Sequence, residues 1–187
     1  NNPGSQCKMI WVDETYINYL PDAVSLEPLC GSLPELVVCK SMSKCYALSG
    51  LRVAYAVSQN MATLRRFIPP WAVSLPGQLA AVAALRNDAY YAQQYEVIHS
   101  ERRKMQQALD DLGFQVFSGV ANYLLTYLPA ASGYSSTRFI EACREQGLFV
   151  RDAQNMGVLL PNNAVRFAVR SPEENEKMLS IVDAVLA

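Results

Sequence analysis

Apolar and polar positions change period along this chain, and the change divides it in two. Ile10-Trp11-Val12 is a short apolar run closed by Asp13 and Glu14, which predicts a buried strand over residues 9–13. Leu36-Val-Val-Cys39 predicts a second buried strand, and the β-formers of 51–57 predict a third. Residues 18–35 carry Asn, Pro and Gly, and read as an irregular connection. A short helix over 60–68 is stopped by Pro69-Pro70. An Ala-rich helix over 76–85 follows, then a long one over 88–111. The latter sets Met105 and Leu109 at i, i+4 spacing and ends at Gly113.

Beyond this point the pattern changes. Residues 114–117 and 122–128 predict antiparallel strands, 136–146 a helix with Phe139, Ile140 and Cys143 on one face, and 148–151 and 165–169 two more strands. The final helix has the clearest start. Ser171 is a good N-cap, Pro172 suits the first helical position, and Glu174 completes a capping box. Met178, Leu179, Val182, Val185 and Leu186 form its apolar stripe. The expected organisation is α/β with buried, mainly parallel strands over 1–95. A bridging helix and a small α+β unit then occupy 96–187.

Composition narrows the function classes. With 187 residues, 51% of them hydrophobic, the chain can bury a real core. A net charge of −1 gives no electrostatic reason to expect nucleic acid or a membrane surface as partner. Cys7, Cys30, Cys39, Cys45 and Cys143 are odd in number and contain no C-x-x-C, against a disulfide framework or a zinc site. His99 is the single histidine, so a His-rich metal centre is excluded. No apolar run reaches membrane-spanning length and no signal peptide opens the chain, so a cytoplasmic enzyme is expected. The opening Asn-Asn-Pro-Gly reads as the interior of a longer protein.

Two segments carry chemistry. Ser41-Met-Ser-Lys44 and Gly50-Leu-Arg52 follow one predicted strand and precede another, and ligands of α/β sheets bind beyond strand ends. Two hydroxyls and a planar guanidinium suit a phosphate. Lys44 is followed by Cys45, Tyr46, Ala47 and Leu48. Desolvation there frees the amine as a nucleophile. The plainer reading is a solvated surface loop. Asp13-Glu-Thr-Tyr16 closes the preceding strand. A carboxylate there can hold a ring nitrogen in its protonated form, and a tyrosine three residues on can hydrogen-bond a phenolate-like oxygen. A pyridine cofactor used as an electron sink needs both.

Trp11-Val-Asp-Glu-Thr-Tyr16 followed by Ser41-Met-Ser-Lys-Cys-Tyr-Ala-Leu-Ser-Gly-Leu-Arg52 closely resembles the fold-type I aminotransferases of class I/II. The nearest branch is that of histidinol-phosphate aminotransferase and threonine-phosphate decarboxylase. The resemblance continues through Pro70-Trp71, Ala121-Asn-Tyr-Leu124, Val150-Arg-Asp152 and Val165-Arg-Phe-Ala-Val-Arg-Ser171. It implies the C-terminal part of a pyridoxal 5′-phosphate (PLP) enzyme: an incomplete large-domain sheet plus a small C-terminal domain. Lys44 is then the Schiff-base lysine, Asp13 the partner of the pyridine nitrogen and Tyr16 that of the 3′ oxygen. Ser41, Ser43 and Arg52 bind the phosphate. Arg166 grips a substrate carboxylate, and Arg151 faces a second anionic group. Asn2-Pro3-Gly4 resembles the family's Asn-Pro-x-Gly turn but lacks one residue, and Asn2 is its cofactor-facing position. Thr15 replaces a small Ala that packs on the ring, leaving its hydroxyl to tune the ring or to bond a phosphate. The resemblance further implies an amino-acid substrate and a homodimer. Transamination is the leading reaction. Decarboxylation of a phosphorylated amino acid is the alternative, toward which Pro70-Trp71 and Val169-Arg-Ser171 lean. A non-catalytic fragment that keeps the fold is the alternative from another class.

Overall fold

The computed structural model describes residues 9–157 and 159–187, so Asn2 and its turn lie outside the described residues. The chain forms two compact units, the first ending at Tyr95 and the second running Glu96–Ala187.

The first unit is built on β1 (Ile10–Asp13), β2 (Leu36–Ser41) and β3 (Ala54–Val57), in the order β1-β2-β3. Leu36, Val37 and Val38 are buried, as a continuous apolar run flanked on both sides requires. β1 lies parallel to β2, with Asp13 opposite Cys39. β3 runs antiparallel to β2, with Ser41 opposite Ala54. The expected mainly parallel sheet is thus one parallel and one antiparallel pair, because the β2–β3 connection is a loop without the crossover helix that a parallel return needs. β1 also departs from the expected buried strand. Among the described residues it is a sheet edge, and Trp11 is 58% exposed. β3 is shorter than 51–57, since Ser49–Leu51 is a 3-10 turn and Arg52 adopts a left-handed φ of 55°.

The connection from β1 to β2 contains 3-10 turns at Ile17–Tyr19 and Glu27–Gly31. After β3 come α1 (Met61–Leu64), which tightens into a 3-10 turn at Arg65–Phe67, then α2 (Leu75–Leu85) and α3 (Asp88–Asp111). The Ser74 hydroxyl caps α2 by accepting the Gly77 N–H. A Cβ on Gly77 would lie 2.9 Å from Val53 Cγ2. The absence of a side chain therefore lets α2 rest on the residue that follows Arg52.

The second unit takes in the later part of α3. Its further elements are β4 (Gln115–Val116), β5 (Tyr123–Tyr127), α4 (Ser136–Glu145), β6 (Arg151–Asp152), β7 (Ala164–Ala168) and α5 (Pro172–Leu186). The sheet order is β4-β5-β7-β6, antiparallel throughout. The strands expected at 114–117 and 148–151 shrink to two residues each. Phe114, Phe139 and Phe167 meet edge-on at 5.7–6.4 Å between centroids, a favourable quadrupole arrangement. Ser171 caps α5 by accepting the Glu174 N–H. The Glu174 carboxylate accepts from the Ser171 hydroxyl and from Arg170. Among the described residues, no helix is long and apolar enough to cross a membrane.

Candidate functional site

The C-terminal end of β1 and the loop after β2 are tied together by side chains. Thr15 N–H and Thr15 Oγ1 both donate to Asp13 Oδ1, at 2.9 and 2.5 Å. Thr15 Oγ1 accepts Ser41 N–H at 3.0 Å. The hydroxyl is therefore already engaged, which corrects the expectation that it is available to a phosphate. Ser41 and Ser43 hydroxyls lie 2.7 Å apart. The next residues fold into a closed loop. Met42 N–H donates to Val53 O and Leu48 N–H to Met42 O, while Met42, Cys45, Tyr46 and Val53 are buried. Anchored on that apolar base, Lys44 and Arg52 face outward. The desolvation expected for Lys44 is not supplied by its neighbours, because Cys45 and Tyr46 turn inward and leave the lysine exposed. Ala47 and Arg52 both take left-handed φ values, 56° and 55°, a conformation that costs a non-glycine residue roughly 1–3 kcal/mol and clusters at functional sites. Arg52 Nη1 donates to Ser49 O at 3.3 Å. Tyr16 is half-buried just beyond Thr15, its ring 6.2 Å from that of Tyr19.

Under this cluster lies a buried ionic network that motif reading misses. Lys40 is 6% exposed and Glu14 5%. Lys40 Nζ pairs with Glu14 at 3.2 Å and Glu27 at 2.6 Å, and donates to Ser25 Oγ at 3.2 Å. Glu14 also accepts from the Ser25 hydroxyl and the Leu26 N–H, both at 2.7 Å, and Glu27 accepts from the Tyr55 hydroxyl at 2.9 Å. Burial alone would raise the Glu14 carboxyl. The donors from Ser25, Leu26 and Lys40 outweigh it and hold the group below its ordinary value. Burial alone would lower Lys40, but hydrogen bonds to Glu27 and Glu14 push it up. Strand alternation sends Asp13 and Glu14 to opposite faces, the one exposed and the other buried. A lysine closing the apolar run Val37-Val-Cys-Lys40 was the available sequence signal, since a buried charge needs a partner.

The second unit holds the predicted substrate arginines. Arg151 on β6 and Arg166 on β7 are direct register partners. Like charges placed opposite one another disfavour the sheet unless something compensates. Arg166 stacks over the Tyr123 ring at 4.8 Å, a cation–π contact. Neither arginine has a carboxylate partner among the described residues. Arg170 lies beyond the end of β7 and is paired with Glu174.

The sequence pattern of the family "Aminotransferase class I and II" matches residues 5–182. The chain is 34% identical over 182 residues to an aromatic amino acid aminotransferase of Rhodococcus erythropolis, covering 96% of this chain and 48% of that protein. It is 30% identical over 179 residues to a threonine-phosphate decarboxylase of Salmonella typhimurium, with 94% and 48% coverage. Among solved structures, the histidinol-phosphate aminotransferase of Clostridium acetobutylicum superposes with a TM-score of 0.82 at 25% identity, covering 95% of this chain and 54% of that one. The chain thus spans about half the length of the curated relatives it matches.

Proposed function

The chain belongs to the class I and II aminotransferase family, and from that premise we propose that it binds PLP covalently through Lys44 and transaminates an amino acid. The residues present fit that cofactor. Asp13 Oδ2 has no partner among the described residues, so it is open to a protonated ring nitrogen. The Ser41 and Ser43 hydroxyls and the Arg52 guanidinium offer the donors that a phosphate dianion takes, and Tyr16 is the hydroxyl donor for the 3′ oxygen. When bound, PLP supplies an electron-withdrawing ring that accommodates the electrons left at the substrate α-carbon.

One observation carries the choice of lysine. Lys40 and Lys44 are four residues apart, but Lys40 is locked between two carboxylates. Lys44 has no ion pair or hydrogen bond from its amine among the described residues, and it is exposed on the loop that also bears Arg52. A free amine can attack an aldehyde, and afterwards move a proton at the substrate α-carbon. A doubly paired ammonium can do neither. Arg166, assisted by the Tyr123 ring, holds the substrate carboxylate in this reading, and Arg151 meets a distal anion. The protein works as a homodimer. The exposed apolar side chains Phe67, Ile68, Trp71, Leu75 and Leu79 support a partner surface.

The Arg151–Arg166 pairing also favours a second reading. Two guanidiniums in register suit a substrate with two anionic groups, such as a phosphorylated amino acid, whose α-carboxylate can leave as carbon dioxide. Assaying released carbon dioxide against keto-acid product separates the two reactions. The proposal itself is tested by titrating the purified protein with PLP. A visible band that saturates in the wild type and is absent in Lys44→Ala is expected. An unchanged band in Lys44→Ala overturns the lysine assignment, and no band in the wild type leaves a fold-retaining fragment without the chemistry.

A further inference from the structure

Thr15 touches each chain segment of the cluster described above. Its N–H and its hydroxyl meet Asp13 Oδ1. Its hydroxyl oxygen also meets Ser41 N–H, 26 residues away in sequence, at 3.0 Å. Its carbonyl accepts from Cys45 Sγ at 3.2 Å, and Cys45 follows Lys44. The direction of each bond is fixed by the partners. A backbone N–H can only donate, so Thr15 Oγ1 accepts from Ser41. A carboxylate can only accept, so the single hydroxyl proton goes to Asp13. The bond from Thr15 N–H to Asp13 is a common local turn at a strand end. The hydroxyl bridge is not local, because it joins the end of β1 to the end of β2.

We propose that Thr15 is a positioning residue, whose hydroxyl holds the Asp13 carboxylate in register with Ser41 so that the acid and the serine hydroxyls engage opposite ends of one PLP molecule. This rests on the assignment of Asp13 and Ser41 to the cofactor. Both Thr15 donors converge on Oδ1, which restrains the carboxylate and leaves Oδ2 without a partner among the described residues. Ring nitrogen and phosphate are joined by a rigid ring, so their two binding groups must keep a set spacing. A direct hydrogen-bonded bridge between the two strand ends sets that spacing before the ligand arrives, which lowers the cost of binding.

The test measures PLP affinity by absorbance titration without substrate, for the wild type, Thr15→Val, Thr15→Ala, Thr15→Ser and Asp13→Asn, with thermal melts to confirm folding. Hydrogen bonds to charged groups predict about tenfold weaker binding in Thr15→Val and Thr15→Ala. Thr15→Ser, which restores the hydroxyl, should return to within about threefold of the wild type. Because Thr15 acts through Asp13, adding Thr15→Val to Asp13→Asn should change affinity by less than about threefold. Wild-type affinity in both hydroxyl-free variants overturns the proposal. So does the same loss in the Asp13→Asn background, or a Thr15→Ser variant no better than Thr15→Ala. If instead the wild type forms no Lys44-dependent band, the cofactor assignment itself fails, which the variant comparison does not mimic.

Discussion

Lys40 and Lys44 show how little a residue's type says until its neighbours are known. Both sit in one short stretch, yet one is structural and the other is the proposed nucleophile. Lys40→Met leaves Glu14 and Glu27 facing each other without a cation. Breaking a buried pair from one side costs about 3–5 kcal/mol, so denaturant melts should show a loss of that size. The pH dependence has a definite sign. Glu14 is held below its ordinary 4.5, so its contribution is present above that pH and lost as pH falls through the lower folded value. Lys40 is held above its ordinary 10.5, so its contribution persists below that pH and fades only as pH rises past the folded value. Stability measured by urea melts should therefore fall below about pH 4.5, and Glu14→Gln should flatten that fall. A wild-type profile that matches the variant's would remove Glu14 from the account. At the arginine pair, Arg166→Lys keeps the charge and loses the planar fork. Roughly 2–5 kcal/mol should disappear from kcat/KM, with PLP absorbance intact. Arg151→Ala should penalise phosphorylated or dicarboxylic substrates more than neutral ones, and equal losses across such a panel contradict its role. Asp13, Ser41, Lys44 and Arg52 stand out in the sequence because their order and spacing carry the family resemblance. Glu14, Lys40 and Thr15 act through contacts that lie 11 to 30 residues away in sequence, which a linear pattern does not display.

Among the elements, helices were readable where caps and apolar stripes agree. The start of α5 at Pro172 and the end of α3 at Asp111 fall where Ser171 and Gly113 put them. Strands fared less well at their ends, because length there is set by pairing. Gln115–Val116 and Arg151–Asp152 bond only as far as β5 and β7 offer partners. Residues 51–53 look like strand by composition but are taken up by the loop that presents Arg52. The orientation of β3 was likewise hidden, since an apolar run carries no direction. The role of Gly77 is invisible in the sequence for the same reason that it matters: it depends on Val53, 24 residues before it. Gly77→Ala ordinarily favours a helix by about 1 kcal/mol. Here the new methyl meets Val53 Cγ2 at 2.9 Å, and overpacking of that kind costs about 1–3 kcal/mol. Chemical denaturation should show net destabilisation with weaker PLP binding, whereas a stabilised variant would mean that α2 yields without disturbing the loop.

At the scale of the whole molecule, the two units divide the proposed chemistry, with the PLP-facing cluster on the first and the arginine pair on the second. The chain belongs to the class I and II aminotransferase family, and the relatives are about twice as long as this chain. The proposed partner surface around the exposed Trp71 predicts a homodimer in sedimentation, and a stable, active monomer contradicts that proposal. The central claim is that Lys44, and not the buried Lys40, carries the cofactor. Borohydride reduction of the PLP-loaded protein, followed by proteolysis and peptide mass spectrometry, tests it most directly. The account predicts a single reduced pyridoxyl adduct, located on Lys44. An adduct on Lys40, or a loaded protein that yields no adduct at all, would contradict it.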